Sequence, residues 1–520
     1  MKNISNIFDK RLLLISVIHF LFSFFSDRFF FDFNNINYLN YIIIKILLFI
    51  VLFMFWNVGV QYIIKYYDKY KTLYKAFLIY LIIIFFMFLL AYPGTWFGND
   101  LTQIYNSVQT CDFYYWLHYL TSLFYILSYM FLPITCSPII FQLILYAITF
   151  AYIFYKVNDG VKSNYKWLFL IIFLLPHTIF YTFYVNRMTL VGILYLLLMS
   201  IMFFDCKRKT KLTKQKFVLL TFLSTFISCI RSETIILILF VPIIIMYTYH
   251  NGIDLKSVVK YYIIFILSFI LMSMPQKIHD SLELNKSGVP SDRNLPIFVM
   301  PFSNMLNYND FEISDSELRI IDKVLNVKDM KKYSSYNDTI CMWLSEECVR
   351  KYNTDEYNDF KKTAIKVLLN NKKQYMYVRY NVFIASSSIN GDFFTNFDLY
   401  KSNDQTIYDR RDTNLIFSYK IRRMFYKIIE GKTNNGIYNE LYKKTNNLLI
   451  PIIAIICAFI YSIYKRKITN SLITGSLICN GLIVFLTAPG GYFMYYFSLY
   501  LLGWFFIVYF LYKKLANKRF

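Results

Sequence analysis

The stretch Ala76-Phe77-Leu78-Ile79-Tyr80-Leu81-Ile82-Ile83-Ile84-Phe85-Phe86-Met87-Phe88-Leu89-Leu90-Ala91-Tyr92 runs straight into Pro93-Gly94-Thr95-Trp96-Phe97-Gly98-Asn99-Asp100. A membrane helix needs roughly 20 predominantly apolar residues. This run nearly supplies them, without a charge, before proline and glycine end it. The pattern recurs. Thirteen apolar runs centre on residues 11–25, 41–62, 74–92, 115–134, 137–155, 165–182, 187–204, 215–231, 233–250, 258–275, 446–464, 469–487 and 492–512. The first is rich in Phe and lacks a small-residue cleavage site, so it reads as a retained span and not a signal peptide.

Composition agrees. Of 520 residues, 57% are apolar and 21% aromatic. A chain this hydrophobic is not disordered. Eight scattered Cys do not make a disulfide scaffold, and no pair has metal-ligand spacing. The 55 Lys+Arg against 32 Asp+Glu are unevenly placed. Residues 275–446 hold 26 basic and 22 acidic side chains, leaving 29 basic and 10 acidic for the rest. That excess sits in short loops between apolar runs. It is the positive-inside signature of a membrane protein, not the one-faced patch of a nucleic-acid binder.

The loops orient the spans. Lys2, Lys10 and Arg11 place the N-terminus inside, as do Lys65, Lys69, Lys71 and Lys75 the second loop. The 93–114 loop has Asp100 and Asp112 but no Lys or Arg, so it reads as outside. Lys207, Arg208, Lys209, Lys211, Lys214 and Lys216 put a later loop inside, with Lys465–Lys467 and the Lys513–Arg519 tail. Four runs between 93–114 and 205–216 break parity. One is expected not to cross, within 115–155, where Pro133, Cys136 and Pro138 interrupt the apolar stretch.

The expected fold is an all-α polytopic membrane protein of about twelve (11–13) spans, with both termini cytoplasmic. Residues 1–275 form a membrane module with outer loop 93–114. Residues 276–445 form one mainly helical extracytoplasmic domain, and residues 446–520 the last membrane helices. Helical periodicity in the polar segment shows in Ser314–Asn326 and Asp359–Tyr375. Cys341 and Cys348, seven apart on one expected helix, are too distant to bridge. The basic amphipathic stretch Ile416–Ile429 reads either as a helix on the membrane surface or as a solvated helix packed on the domain.

Ionisable groups beside apolar runs mark candidate sites. Asp100 follows a sharp turn that holds its carboxylate close to the bilayer, with Gln103 three residues on. It reads as a catalytic carboxylate, and Asn99 or Asp100 also reads as a helix cap. Arg231 and Glu233 share a turn too tight to need two charges for solubility. They read as a phosphate-binding guanidinium with its orienting carboxylate, or as a salt bridge closing the turn. Arg187 is a second phosphate ligand or a snorkelling anchor. His118 and Trp116 open the next run. Asp112 reads as a loop solvator. The five dispersed His form no zinc pattern, and Walker, GxSxG and Rossmann signatures are missing from the sequence.

At these residues the chain resembles the GT-C superfamily of membrane glycosyltransferases, most closely an uncharacterised bacterial multi-spanning branch. The likeness rests on Tyr92-Pro93-Gly94, Asp100, Gln103 and the Trp116/His118 stretch. It continues in Arg231-Ser232-Glu233, in Ile313–Glu317 with Tyr333–Asp338, and in Pro489-Gly490-Gly491-Tyr492 with Tyr495-Tyr496. Three positions depart from the branch. It tends to have Trp-His-Pro at Trp116-Leu117-His118, an acidic residue near Met188 and an Arg near Met494. Met neither binds phosphate nor acts as a base. Either Arg187 and Arg231 cover those roles, or the acceptor differs, or the activity is altered.

The resemblance implies transfer of a sugar from a polyprenyl-phosphate donor to a saccharide or other envelope acceptor outside the cytoplasmic membrane, with inversion. Asp100 would be the general base. Arg231 and Arg187, with Glu233, would hold the departing phosphate. Gln103, Trp116, His118 and Tyr92 would contact substrate. No metal is required by this set, although some relatives use a divalent ion, which Asp100 would then ligate. Membrane lipids are expected partners and nucleic acid is not. A transporter or flippase, or a polymerase, of lipid-linked saccharides is the alternative. A transporter should carry mid-membrane charge and internal repeats.

Overall fold

The computed structural model describes residues 9–95, 99–113, 117–158, 164–250, 254–287, 293–389 and 416–517, without the side chains of 26, 99–103, 158, 283, 285–287, 343, 419 and 517. Among these residues the chain is all-helical, with two isolated bridges and no strand. It has the helices of a multi-pass membrane protein. Among the described residues, eight are long and apolar enough to cross a membrane, or ten if each of two bent pairs is one span.

Three expected runs do not meet that measure. The 115–134 run is a 13-residue helix, Tyr119–Phe131. At 1.5 Å per residue it is about 20 Å long, short of the roughly 30 Å hydrocarbon core. The 137–155 run is full length, Ser137–Val157. The first run is the 18-residue helix Lys10–Asp27, with charges at both ends, and the 215–231 run is the 17-residue helix Lys214–Ile230. Residues 165–182 form Asn164–Leu174 and Pro176–Thr182, bent by 63°. Pro176 forces the bend, because the residue before a proline is driven out of helical geometry, and Leu175 is extended.

The chain forms two compact units. One comprises Met1–Phe204, Phe397–Asn439 and Trp504–Phe520, the other Asp205–Asn396 and Glu440–Gly503. In the first, helices 71–91 and 137–157 pack along their length. Tyr80, Ile84 and Phe88 of one lie buried, as do Ala147 and Phe150 of the other, and the Tyr80 and Phe150 rings sit 5.1 Å apart. Helix Arg187–Arg208 is almost entirely buried along its apolar length, so its uniform hydrophobicity serves a protein core.

In the second unit, helix Leu255–Leu282 leaves most of its apolar surface uncovered, a surface suited to lipid. The polar segment carries its own core, built from Leu295, Val299, Phe302, Ile321, Leu325, Phe360 and Val367 among others. Its helices start where the sequence supplies caps. Ser314 with Glu317 and Asn353 with Glu356 form capping boxes. The two expected helical stretches are shorter than their periodicity. Ser314–Asn326 yields Asp315–Asp322, and Asp359–Tyr375 breaks at Asn371. There the Asn371 amide accepts from the Glu312 N–H at 2.9 Å and donates to the Glu312 carbonyl at 2.8 Å.

The expectation for Cys341 and Cys348 is wrong, because the two form a disulfide with a Cα–Cα distance of 5.6 Å. They do not share a helix. Ile340–Leu344 stops after five residues, Ser345 is extended, and the chain turns back through a Cys348 N–H to Ser345 carbonyl bond. Seven residues are a long reach along a helix and a short one around a turn.

Candidate functional site

In the first unit the site is built around the turn after helix 71–91. The Tyr92–Pro93 peptide is cis, and Gly94 has φ +102°. Only glycine suits that dihedral, and a Cβ there would fall 2.9 Å from the Phe183 carbonyl oxygen. The turn lets Thr95 pair in parallel with Tyr184. The Thr95 N–H donates to the Phe183 carbonyl (2.8 Å), and the Val185 N–H to the Thr95 carbonyl (3.3 Å). The Gln142 side chain donates to the Tyr184 carbonyl at 3.1 Å.

The two paired segments run in the same direction. Past 96–98, one enters helix Asn99–Thr110, whose backbone includes Asp100 and Gln103. The other enters helix Arg187–Arg208, opened by half-buried Arg187. The structure therefore sets side by side the two segments that lead to Asp100 and Arg187. The side chains of Asp100 and Gln103, and all of Trp116, lie outside the described residues. Tyr92 caps helix 71–91, its ring 5.8 Å from Phe88. His118 caps helix 119–131, where Nδ1 accepts from the Leu120 N–H at 3.4 Å. Asp112 does more than meet solvent: its Oδ1 accepts from the Asn40 amide at 2.9 Å.

Two groups at this turn escaped the sequence reading. Arg422 donates from Nη2 to the Gly94 carbonyl at 3.0 Å. The Tyr426 hydroxyl shares a 2.9 Å hydrogen bond with Thr95 Oγ1. Both come from helix Tyr419–Ile429, which packs on helices 71–91 and 176–182. The amphipathic pattern of 416–429 was visible in the sequence, but its partner was not.

A second omission is the buried pair Asp27 and Lys45, with Nζ 2.6 Å from Oδ2 and both side chains at or below 5% exposure. Tyr41 donates to the same Asp27 oxygen at 2.5 Å, and Lys45 donates to Ser23 at 2.6 Å. The signal was Lys45 itself, a cation inside an apolar run. The pair lies by the far end of helix 99–110. There the Asp32 and Asn37 N–H groups donate to the Gln109 and Thr110 carbonyls at 2.9 and 2.8 Å. Burial, then the charge of Asp27, pushes the Cys111 thiol up to about 12.

In the second unit, Arg231 and Glu233 form an ion pair at the turn from helix 214–230 into Ser232–Ile235. Arg231 is 8% exposed, and its guanidinium lies over the Tyr495 ring, 5.1 Å from the centroid. The turn is braced by the Thr234 hydroxyl, which donates to the Arg231 carbonyl at 2.7 Å. The ion pair and the brace close the turn. Arg231 Nε is buried without a hydrogen-bond partner.

Tyr495 follows a loop anchored by hydrogen bonds. The Gly491 N–H donates to the Asn337 carbonyl at 2.9 Å. Arg379, fully buried, donates to the Ala488 and Ile297 carbonyls at 2.7 and 3.0 Å. Burial holds its guanidinium below the ordinary arginine value. The structure thus joins Tyr333–Asp338 to Pro489–Tyr492, two motifs the sequence showed only as separate strings. Among the described residues, no three His, Cys, Asp or Glu side chains gather closely enough to hold a metal ion.

No family model matches this sequence, and neither a curated protein nor a solved structure is detectably similar to it.

Proposed function

We propose that the protein is a GT-C-type glycosyltransferase, moving a sugar from a polyprenyl-phosphate carrier to a saccharide or envelope acceptor on the outer face of the cytoplasmic membrane. The observation that carries this reading is the Thr95–Tyr184 pairing, which brings together the segments leading to Asp100 and Arg187. A carboxylate would take the acceptor's proton as its oxygen attacks the sugar carbon. Arg187 and Arg231 would stabilise the departing lipid phosphate, which leaves with the bonding electrons. Tyr92, Gln103, Trp116 and His118 would contact substrate, and Glu233 would orient Arg231.

The twelve-span arrangement belongs to this reading. Helices of 18 and 17 residues at 10–27 and 214–230 reach the lower limit of a span. With the eight long helices and two bent pairs they give twelve, and helix 119–131 stays within one side. The disulfide supports an extracytoplasmic place for residues 276–445, because disulfides persist in oxidising compartments.

The test uses purified protein in liposomes with a polyprenyl-phosphate sugar. Asp100→Asn should slow transfer by about 10²–10⁴-fold, the usual worth of a positioned base. Transfer at the wild-type rate would overturn the assignment. One observation favours the transporter reading, the buried Asp27–Lys45 pair. Wild-type protein that transfers nothing but moves labelled lipid between leaflets would establish it.

A further inference from the structure

Helix Tyr419–Ile429 divides into three faces by its helical spacing. The first meets protein. Arg422 and Tyr426 bond the Gly94–Thr95 turn, Tyr426 and Ile429 are buried, and the Phe425 ring lies 6.4 Å from Phe183. The second is apolar and uncovered: Ile421, Met424 and Ile428 are 37%, 60% and 43% exposed. The third is cationic: Lys420, Arg423 and Lys427 are all exposed. The helix contains no acidic residue.

Depth decides what covers the second face. The protein face contacts Gly94 and Thr95, just past the last residue of helix Lys71–Ala91. That helix has 21 residues, about 31 Å at 1.5 Å per residue, which matches the hydrocarbon core. Residues just past its end therefore sit at headgroup level. In water, an uncovered Ile-Met-Ile stripe would be unfavourable. At headgroup level it enters the acyl boundary while the neighbouring cations meet lipid phosphates. Ile437, in the next helix Gly436–Asn446, is 83% exposed as well.

We propose that helix 419–429 is an interfacial helix that binds anionic phospholipid headgroups through Lys420, Arg423 and Lys427, with Ile421, Met424 and Ile428 inserted beneath them. Its protein face then holds the Gly94–Thr95 turn at a set height above the bilayer through Arg422 and Tyr426. The proposal needs no catalytic role for Asp100, so its test is independent of glycosyl transfer.

Spin labels would report the depth. Full-length protein with the partly or fully exposed Cys206, Cys457 and Cys479 replaced by Ser leaves only buried or disulfide-bonded cysteines. Nitroxides at Met424→Cys, Ile428→Cys and Lys427→Cys are measured in vesicles of phosphatidylcholine with phosphatidylglycerol. At 424 and 428, dissolved oxygen should relax the label several-fold more than a water-soluble nickel chelate, and 427 should show the reverse. Equal response to nickel at all three positions means a solvated helix and overturns insertion. Protection of 424 and 428 from both agents means a protein cover and also overturns it. The oxygen-to-nickel ratio at 424 should fall when phosphatidylglycerol is omitted, and likewise with Lys420→Gln, Arg423→Gln and Lys427→Gln combined. A ratio unmoved by either change overturns the headgroup assignment.

Discussion

Glycine at two positions shows how a single missing Cβ positions a loop. Gly94 carries a positive φ at the turn that Pro93-Gly94 announced in the sequence. Gly491 carries no such signal, and its reason is contact. A Cβ there would fall 2.6 Å from Ala385 Cβ and 3.1 Å from the Tyr336 carbonyl oxygen. Gly491→Ala should therefore push the 488–492 loop off Asn337 and cost about 1–3 kcal/mol, the range for overpacking. Gly436, where an added methyl would meet nothing within 4 Å, is the control, and Gly436→Ala should be neutral or slightly stabilising. Thermal unfolding midpoints in detergent would separate the two, and equal midpoints would refute the contact account. Arg422 illustrates the reverse. Its charge was plain in the sequence, yet nothing in 416–429 announced that its acceptor is a carbonyl more than 300 residues earlier.

At the scale of elements, apolar length and caps were legible, and crosslinks were not. Ser314-x-x-Glu317 announces a helix start because its side chains satisfy neighbouring backbone groups. The Cys341–Cys348 bridge depends on where helix 340–344 stops, which spacing alone does not reveal. Thiol titration of the denatured protein should give six free thiols, and eight after reduction. Eight without reduction would contradict the bridge. The Asp27–Lys45 pair links helices 10–27 and 38–66 in an apolar setting. Lys45→Met would leave the carboxylate buried and uncompensated, a loss of about 3–5 kcal/mol. Asp27→Leu added to Lys45→Met should recover much of it. Denaturation of the single and double variants tests this, and a double variant no better than Lys45→Met would refute the pairing.

For the whole molecule, the sequence predicts sidedness from loop charge alone. Cysteines introduced at Lys207 and Asn337, both exposed, should label from opposite sides of sealed vesicles with a membrane-impermeant maleimide. Labelling from one side would refute the orientation. The all-helical, membrane-spanning character followed from the sequence by itself, as did the turn at Pro93-Gly94. Both rest on local properties: apolar transfer free energy summed over some 20 residues, and the dihedral limits of proline and glycine. Tertiary structure alone decided that Thr95 meets Tyr184 and Tyr426, that Gly491 rests on Asn337, and that Asp27 finds Lys45. Those meetings depend on how helices pack, and no residue's own chemistry names a partner that packing has yet to bring near.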